Sequence, residues 1–197
     1  MSNVARYTFK RQGKRDYVNS TMLLEALPTV LKQLDLPMYD EVQITFRGVL
    51  KAQVEFRTEI ERDQPVLITL KSGDKSYRIG VVEIDEPLTE IGPDDAKQYL
   101  KNVVIDSDEA VLSDYPPHLY PAICMGLADA MIAESTDSSD GGFWWLAKVT
   151  YYVPPAFFES APELRGSTKN MIANKMILNE VKANGRVVAS IYSTRTK

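Results

Sequence analysis

Cysteine and histidine are almost missing from this 197-residue chain, which holds one of each, Cys124 and His118. A single cysteine excludes an intramolecular disulfide. One His and one Cys cannot supply the nitrogen and sulfur ligands of a usual zinc site. A lone histidine also makes a Ser/His/Asp triad a forced reading, and there is no G-x-S-x-G elbow. Neither a G-x-x-x-x-G-K-[ST] phosphate loop nor a G-x-G-x-x-G turn occurs, so no metal and no cofactor is implied. A basic excess is missing too: 23 Lys+Arg stand against 27 Asp+Glu, a net charge of −4 and a pI near 5.2. That leaves no electrostatic footprint for nucleic acid or an anionic membrane. The longest nearly uncharged apolar stretch, Leu119 to Ala133, spans 15 residues and contains an acid, too short and too polar for a bilayer. The N-terminus, MSNVARYTFKRQGKRDYV, is basic without an apolar run, which is not a secretory signal. A cytoplasmic location is the default expectation.

What is present is 44% hydrophobic and 25% charged, enough for one large domain or two small ones. Asn19 to Leu34 reads as a helix, capped by Asn19 or Ser20. Leu23, Leu24, Leu27, Val30, Leu31 and Leu34 fall on one stripe, and Pro28 should kink it or mark its first turn. The period then changes to two. Residues 42–60 predict one long bent strand or two, with Gly48 at the bend. Val66–Lys71 and Tyr77–Ile84 flank the turn Ser72-Gly73-Asp74-Lys75, a hairpin signal. Pro87 to Gln98 reads as a connector with a short helix opened by Pro93-Asp94-Asp95.

Val103 to Ile105 predicts a short strand, and Asp114-Tyr115-Pro116-Pro117 a turn into a second helix, about His118 to Glu134. LYPAICMGLADAMIA carries one charge, Asp129, and is apolar or small all round, which predicts a helix buried on every side. The polar run Glu134–Gly142 is a loop. Strands follow at 143–153, about 167–180 and 186–194, the last two joined through Asn184-Gly185. Both halves thus run helix, then three or four antiparallel strands. Leu24-Glu25-Ala26-Leu27 overlays Ala128-Asp129-Ala130-Met131 at an offset of 104, and the hairpin glycines Gly73 and Gly185 lie 112 apart. The alternative is an α+β domain whose helices and hairpins merely alternate.

GLADAM, VTYYVPP and VKANGRVVAS resemble the small thioesterases of the hot-dog superfamily, whose helix with L-A-D precedes a strand ending near proline and a G-R-x-V-A hairpin. The likeness covers roughly Tyr115 to Thr194; the family's His-Gly-Gly corresponds here to Tyr120-Pro121-Ala122. Tyr115-Pro116-Pro117-His118, Pro121 and Asp129-Ala130-Met131 also resemble the hydroxyacyl dehydratases, with H-F-P-G and then E-A-M. There the dehydratase histidine corresponds to Asp114, and His118 falls four residues later. Leu24-Glu25-Ala26-Leu27 is similar to the same E-A-M element. The resemblance implies an α+β double hot-dog, two antiparallel sheets each wrapping a central helix. Residues 1–86 would form the first half, 87–102 a connector and 103–197 the second half.

It also implies an enzyme acting on an acyl thioester of CoA or acyl carrier protein, with hydrolysis preferred. A dehydratase of a lipid or polyketide pathway is the alternative. So is a hot-dog subunit without catalysis that binds an acyl group or serves assembly, and homo-oligomerisation stays open. Asp129 is the leading catalytic candidate: a carboxylate in apolar surroundings is costly unless paired or wet, and burial would make it a better base. Its competing role is a structural acid. Glu25 is the counterpart in the first helix, one residue off the apolar stripe, with an exposed acid as the bland reading. His118 can cap its helix, polarise a carbonyl or act as an acid, or simply occupy a surface turn. Tyr120 and Trp144 are candidates for the pocket wall, although the rings Phe143, Trp144, Trp145, Tyr151 and Tyr152 also suit core and interface. Cys124, among apolar neighbours, reads as core.

Overall fold

A computed structural model describes residues 3–13, 15–92, 94–136, 142–153 and 162–196. Pro93, most of the polar run after the second helix (137–141) and the Pro154-Pro155 pair, all used in the sequence reading, lie outside the described residues. The chain divides into two compact units, Met1–Asp94 and Asp95–Lys197.

The first unit opens with two short strands that the sequence pattern did not reveal, β1 (Val4–Tyr7) and β2 (Lys10–Gln12). Helix α1 (Ser20–Gln33) follows where the apolar stripe predicts it. Asn19 caps it: Oδ1 accepts from the backbone N–H groups of Thr21 and Met22, each at 3.0 Å. Two of the first-turn donors that a helix leaves open are thereby satisfied. Leu23, Leu24, Leu27, Val30 and Leu31 are buried, whereas Glu25, Pro28, Thr29 and Lys32 are exposed. Then come β3 (Glu41–Phe46), β4 (Ala52–Arg57), β5 (Val66–Ser72), β6 (Lys75–Pro87) and β7 (Thr89–Gly92). The stretch 42–60 is two strands, β3 and β4, and they are not neighbours: the order is β1-β4-β6-β5-β3. β2 and β7 form a separate parallel pair. The register sets Ile44, Ile68 and Ile79 in one row and Phe56, Val81 and Val66 in another. All six are buried. Directly opposed residues share a face, so these rows make one apolar face.

The second unit contains α2 (Lys97–Leu100), β8 (Val104–Asp106), β9 (Glu109–Leu112) and a 3-10 turn, Pro117–Leu119, leading into α3 (Tyr120–Ser135). Strands β10 (Phe143–Tyr151), β11 (Leu164–Ile172), β12 (Met176–Ala183) and β13 (Arg186–Thr196) complete it. Their order is β8-β9-β11-β12-β13-β10, and α3 packs on β9, β11, β12 and β13. The strand expected over 167–180 is instead a hairpin. Its turn puts Ala173 at φ 49° and Asn174 at φ 53°, and Lys175 N–H donates to the Ile172 carbonyl at 2.9 Å. Alanine carries no left-handed preference, which is why composition hid this turn. The Asn184-Gly185 hairpin forms as predicted, with φ of 49° and 76°, the double left-handed pair of a type I′ turn.

In each unit a helix accompanies antiparallel strands, the α+β class expected, but the units differ in one respect. The second reads β9-β11-β12-β13-β10, each hairpin laid beside its predecessor. In the first, the corresponding order is β1-β4-β6-β5-β3. The last hairpin is turned over, so β6 rather than β5 lies against β4. The link 58–65 must therefore cross β6 to reach β5. Gln64, 2% exposed, lies directly over Gly80 of β6, where a Cβ would come within 1.6 Å of the Gln64 Oε1. Any side chain at position 80 would have to displace the Gln64 amide.

On β4, the buried Glu55 carboxylate accepts from Arg6 Nε at 2.8 Å and from Arg57 Nη2 at 2.9 Å. The Arg57 and Arg6 hydrogen bonds hold its pKa below the usual value. A carboxyl whose pKa is lower folded than unfolded stabilises the fold above the unfolded value, about 4.3, and loses that contribution as pH falls through the folded value. Glu55→Gln should therefore cost about 1–2 kcal/mol at pH 7. The gap from the native protein should close as urea melts are taken below about pH 4.

Candidate active site

Position Gly166 on β11 fixes the roll of α3. A Cβ there would stand 3.0 Å from the Leu127 Cβ, so the helix seats Leu127 directly on the strand. At about 100° per residue, Asp129 lies roughly 200° round the helix from Leu127 and points away. The observed burial follows: Ile123, Cys124, Leu127, Ala128, Met131 and Ile132 are buried, Asp129 and Ala133 are exposed, and Ala122, Met125, Gly126 and Ala130 are half-buried. The expectation of a helix buried on every side is corrected. Alanine and glycine carry too little apolar area to force burial, and they form the outward stripe. The stripe is closed at one point by α2, whose Leu100 covers Gly126: a Cβ on Gly126 would meet Leu100 Cδ2 at 2.2 Å.

Asp129 is thus a carboxylate on an exposed face of small side chains. His118 is exposed in the 3-10 turn before the helix. Eleven residues at 1.5 Å each separate the two by about 16 Å along the axis, and the 3-10 segment, with its larger rise, lengthens this. Within this unit the imidazole and the carboxylate do not share a proton. In the first unit, Glu25 is exposed on α1, flanked by the buried Leu24 and Ala26.

The two wall candidates separate clearly. Tyr120 is 0% exposed, its hydroxyl donates to the Val153 carbonyl, and its ring meets Tyr151 edge-on at 5.9 Å and 88°. The Tyr151 hydroxyl donates to the Pro121 carbonyl at 3.2 Å. This pair pins the start of α3 to the end of β10; it is core. Trp144 is half-buried, with the Arg195 guanidinium 5.7 Å from its ring centre. Its indole N–H is buried and finds no acceptor among the described residues. Phe143 and Trp145, its neighbours on the opposite face, are 73% and 46% exposed. Cys124 is buried, and burial pushes its thiol pKa up, so it is no nucleophile near neutral pH. Among the described residues, no group of three His, Cys, Asp or Glu side chains could hold a metal ion.

One polar residue of this face escaped the sequence reading. Asn179 is 0% exposed, between the inward Ile177 and Val181 of β12. It accepts from Thr168 Oγ1 at 2.9 Å, and Thr168 Oγ1 lies 3.3 Å from Ser135 Oγ at the end of α3. The Asn179 Nδ2 has no partner among the described residues. The signal was there in the alternation of Ile177, Asn179 and Val181, which sets an amide where period two demands an apolar residue.

No protein-family model matches the chain, and no curated protein matches it by sequence. Among solved structures, it is similar to a candidate thioesterase II from Thermobifida fusca YX, with 14% identity and a TM-score of 0.50 over 100% of this chain and 94% of that one. It is also similar to the tesB protein of Mycobacterium avium subs paratuberculosis, with 10% identity and a TM-score of 0.50 over 98% and 92% of the two chains. The dehydratase domain of PpsC from Mycobacterium tuberculosis, in complex with C12:1-CoA, gives 13% identity and 0.49 over 91% and 85%. The likeness to the two thioesterase structures is one of fold, the hot-dog fold. Among the described residues, no helix is long and apolar enough to cross a membrane.

Because Tyr120 belongs to the core, Tyr120→Phe should lower stability by about 1–2 kcal/mol through loss of one buried hydrogen bond and an orphaned Val153 carbonyl. Chemical denaturation of the variant beside the native chain measures this.

Proposed function

We propose that the chain is a double hot-dog enzyme of the cytoplasm that hydrolyses an acyl thioester carried by CoA or acyl carrier protein, with Asp129 as general base. The observation that carries this reading is the presentation of Asp129. Asp129 is exposed on the outward stripe of α3, among Ala122, Met125, Gly126 and Ala133, neighbours whose side chains are small or flexible.

The chemistry asks for little more. The carboxylate takes a proton from water as the oxygen attacks the thioester carbonyl. The tetrahedral intermediate then collapses, breaking the C–S bond, and the departing thiolate recovers the proton from the Asp129 carboxylic acid. A general base of this kind contributes about two to four decades in rate. His118 takes no part in the proton transfer; it stands at the head of the same helix, where it can meet a polar part of the substrate. Trp144 offers an unused N–H and a half-covered ring for a pocket wall. The dehydratase alternative needs an acid and a base at adjacent substrate carbons, and the separation of about 16 Å along the helix keeps His118 and Asp129 from that arrangement within their unit.

Asp129→Asn should cut thiol release from acyl-CoA substrates by about 100-fold or more. Its melting temperature should hardly move, since exposed substitutions change stability little. Glu25→Gln, assayed on the same substrate, should lose only a few-fold. Equal large losses would instead show a site that uses both acids. Failure of the native chain to release thiol from any acyl-CoA or acyl-carrier substrate would favour an acyl-binding subunit without catalysis.

A further inference from the structure

The overturned hairpin of the first unit brings a loop across β6. Where residues 58–65 cross β6, they enclose a cleft of about 500 Å³ lined by Arg47, Ile60, Glu61, Arg62, Asp63, Gln64, Leu67 and Arg78. Leu67 and Arg78 belong to the sheet face opposite the apolar rows: Leu67 pairs with Gly80 and Thr69 with Arg78, while the buried Ile68 and Ile79 point the other way. Arg47 follows β3, and its backbone N–H donates to the Pro65 carbonyl at 2.7 Å. The cleft is therefore a product of the crossing, walled by strand residues on one side and by the link on the other.

Its electrostatics are lopsided. Arg47 Nη1 donates to the Arg62 carbonyl at 2.9 Å, which ties one wall to the other and leaves its charge without a carboxylate. Arg62 and Arg78 make no ion pair among the described residues. Of the two acids at the rim, Glu61 stands 3.8 Å from Arg57 Nη1, so part of its charge is answered outside the cleft. Three guanidiniums stand around one opening whose lining also carries Glu61 and Asp63, and each presents a planar fork of donors suited to phosphate oxygens. The volume exceeds what an inorganic ion fills, and Ile60 and Leu67 supply an apolar surface beside the charges.

We propose that this cleft binds a phosphorylated small molecule, a di- or triphosphate group held by Arg47, Arg62 and Arg78 with an organic portion against Leu67 and Ile60. The site lies in the first unit and does not depend on the thioester reading of Asp129. Isothermal titration of the full chain with ADP, inorganic pyrophosphate and citrate tests it, together with the exposed-residue variants Arg62→Gln and Arg78→Gln. ADP should bind saturably and more tightly than pyrophosphate. Each variant should weaken ADP at least ten-fold while leaving the circular dichroism and melting temperature unchanged, and citrate should bind much more weakly than either. Absence of saturable ADP binding at millimolar concentration, or binding indifferent to both substitutions, would overturn the site. Citrate equal to ADP would overturn the phosphate assignment, since any polyanion would then serve.

Discussion

The contact between Leu127 and Gly166 governs the second unit. A helix can lie on a sheet at its closest only where the strand lacks a side chain, and this strand lacks one at the point where α3 presses down. That single approach sets the rotation of the helix and so decides which of its residues meet the core. Leu127 and Cys124 go in, and Asp129 goes out. The exposure of the candidate base is thus a consequence of packing on the far side of the helix. The Tyr120–Tyr151 pair holds the beginning of the same helix in place, and α2 leans on its outward stripe at Gly126.

The first unit is governed differently, by the missing side chain at Gly80. Antiparallel strands accept a hairpin in either orientation, because both of its edges offer the same hydrogen-bonding groups. Which strand lies inside is set by the connection. Here an eight-residue link passes over β6, and Gln64 occupies the space that any other residue at position 80 would fill. Two glycines, one in each unit, therefore do comparable work for unlike purposes: one admits a helix, the other a loop.

Much of this was legible in the sequence. The stripe of α1, its Asn19 cap, and the hairpins at Gly73 and at Asn184-Gly185 rest on local rules of periodicity and turn chemistry, and local rules suffice for local structure. The second helix was placed correctly but its burial was not. Mean composition sees Ala and Gly as apolar, whereas the actual face turned to the sheet depends on where a glycine sits in a strand some forty residues later. The Ala173-Asn174 turn was hidden because alanine seldom takes the left-handed conformation it adopts there. The order of β4, β5 and β6 was beyond reach for a different reason: pattern specifies which side of a strand is buried, not which neighbour it takes. As for the candidate residues, the sequence singled out Asp129 by its isolation among apolar neighbours. It passed over Asn179 because that residue interrupts a strand instead of a helix, and it had no means of seeing Arg47, Arg62 and Arg78 as companions.

The overturned hairpin bears also on how the chain acquires its structure. In the second unit, β11, β12 and β13 are joined by two tight turns, so three strands can zip together with only short loops to close. In the first, only β5 and β6 are joined so closely; β4 must find β6 across a separation such as Arg57 to Gly80, after the hairpin has already formed. Closing loops of that length precedes any gain from the contacts they bring. The loop-closure cost is accordingly uneven along the chain: the three strands of the C-terminal meander meet through the shortest loops.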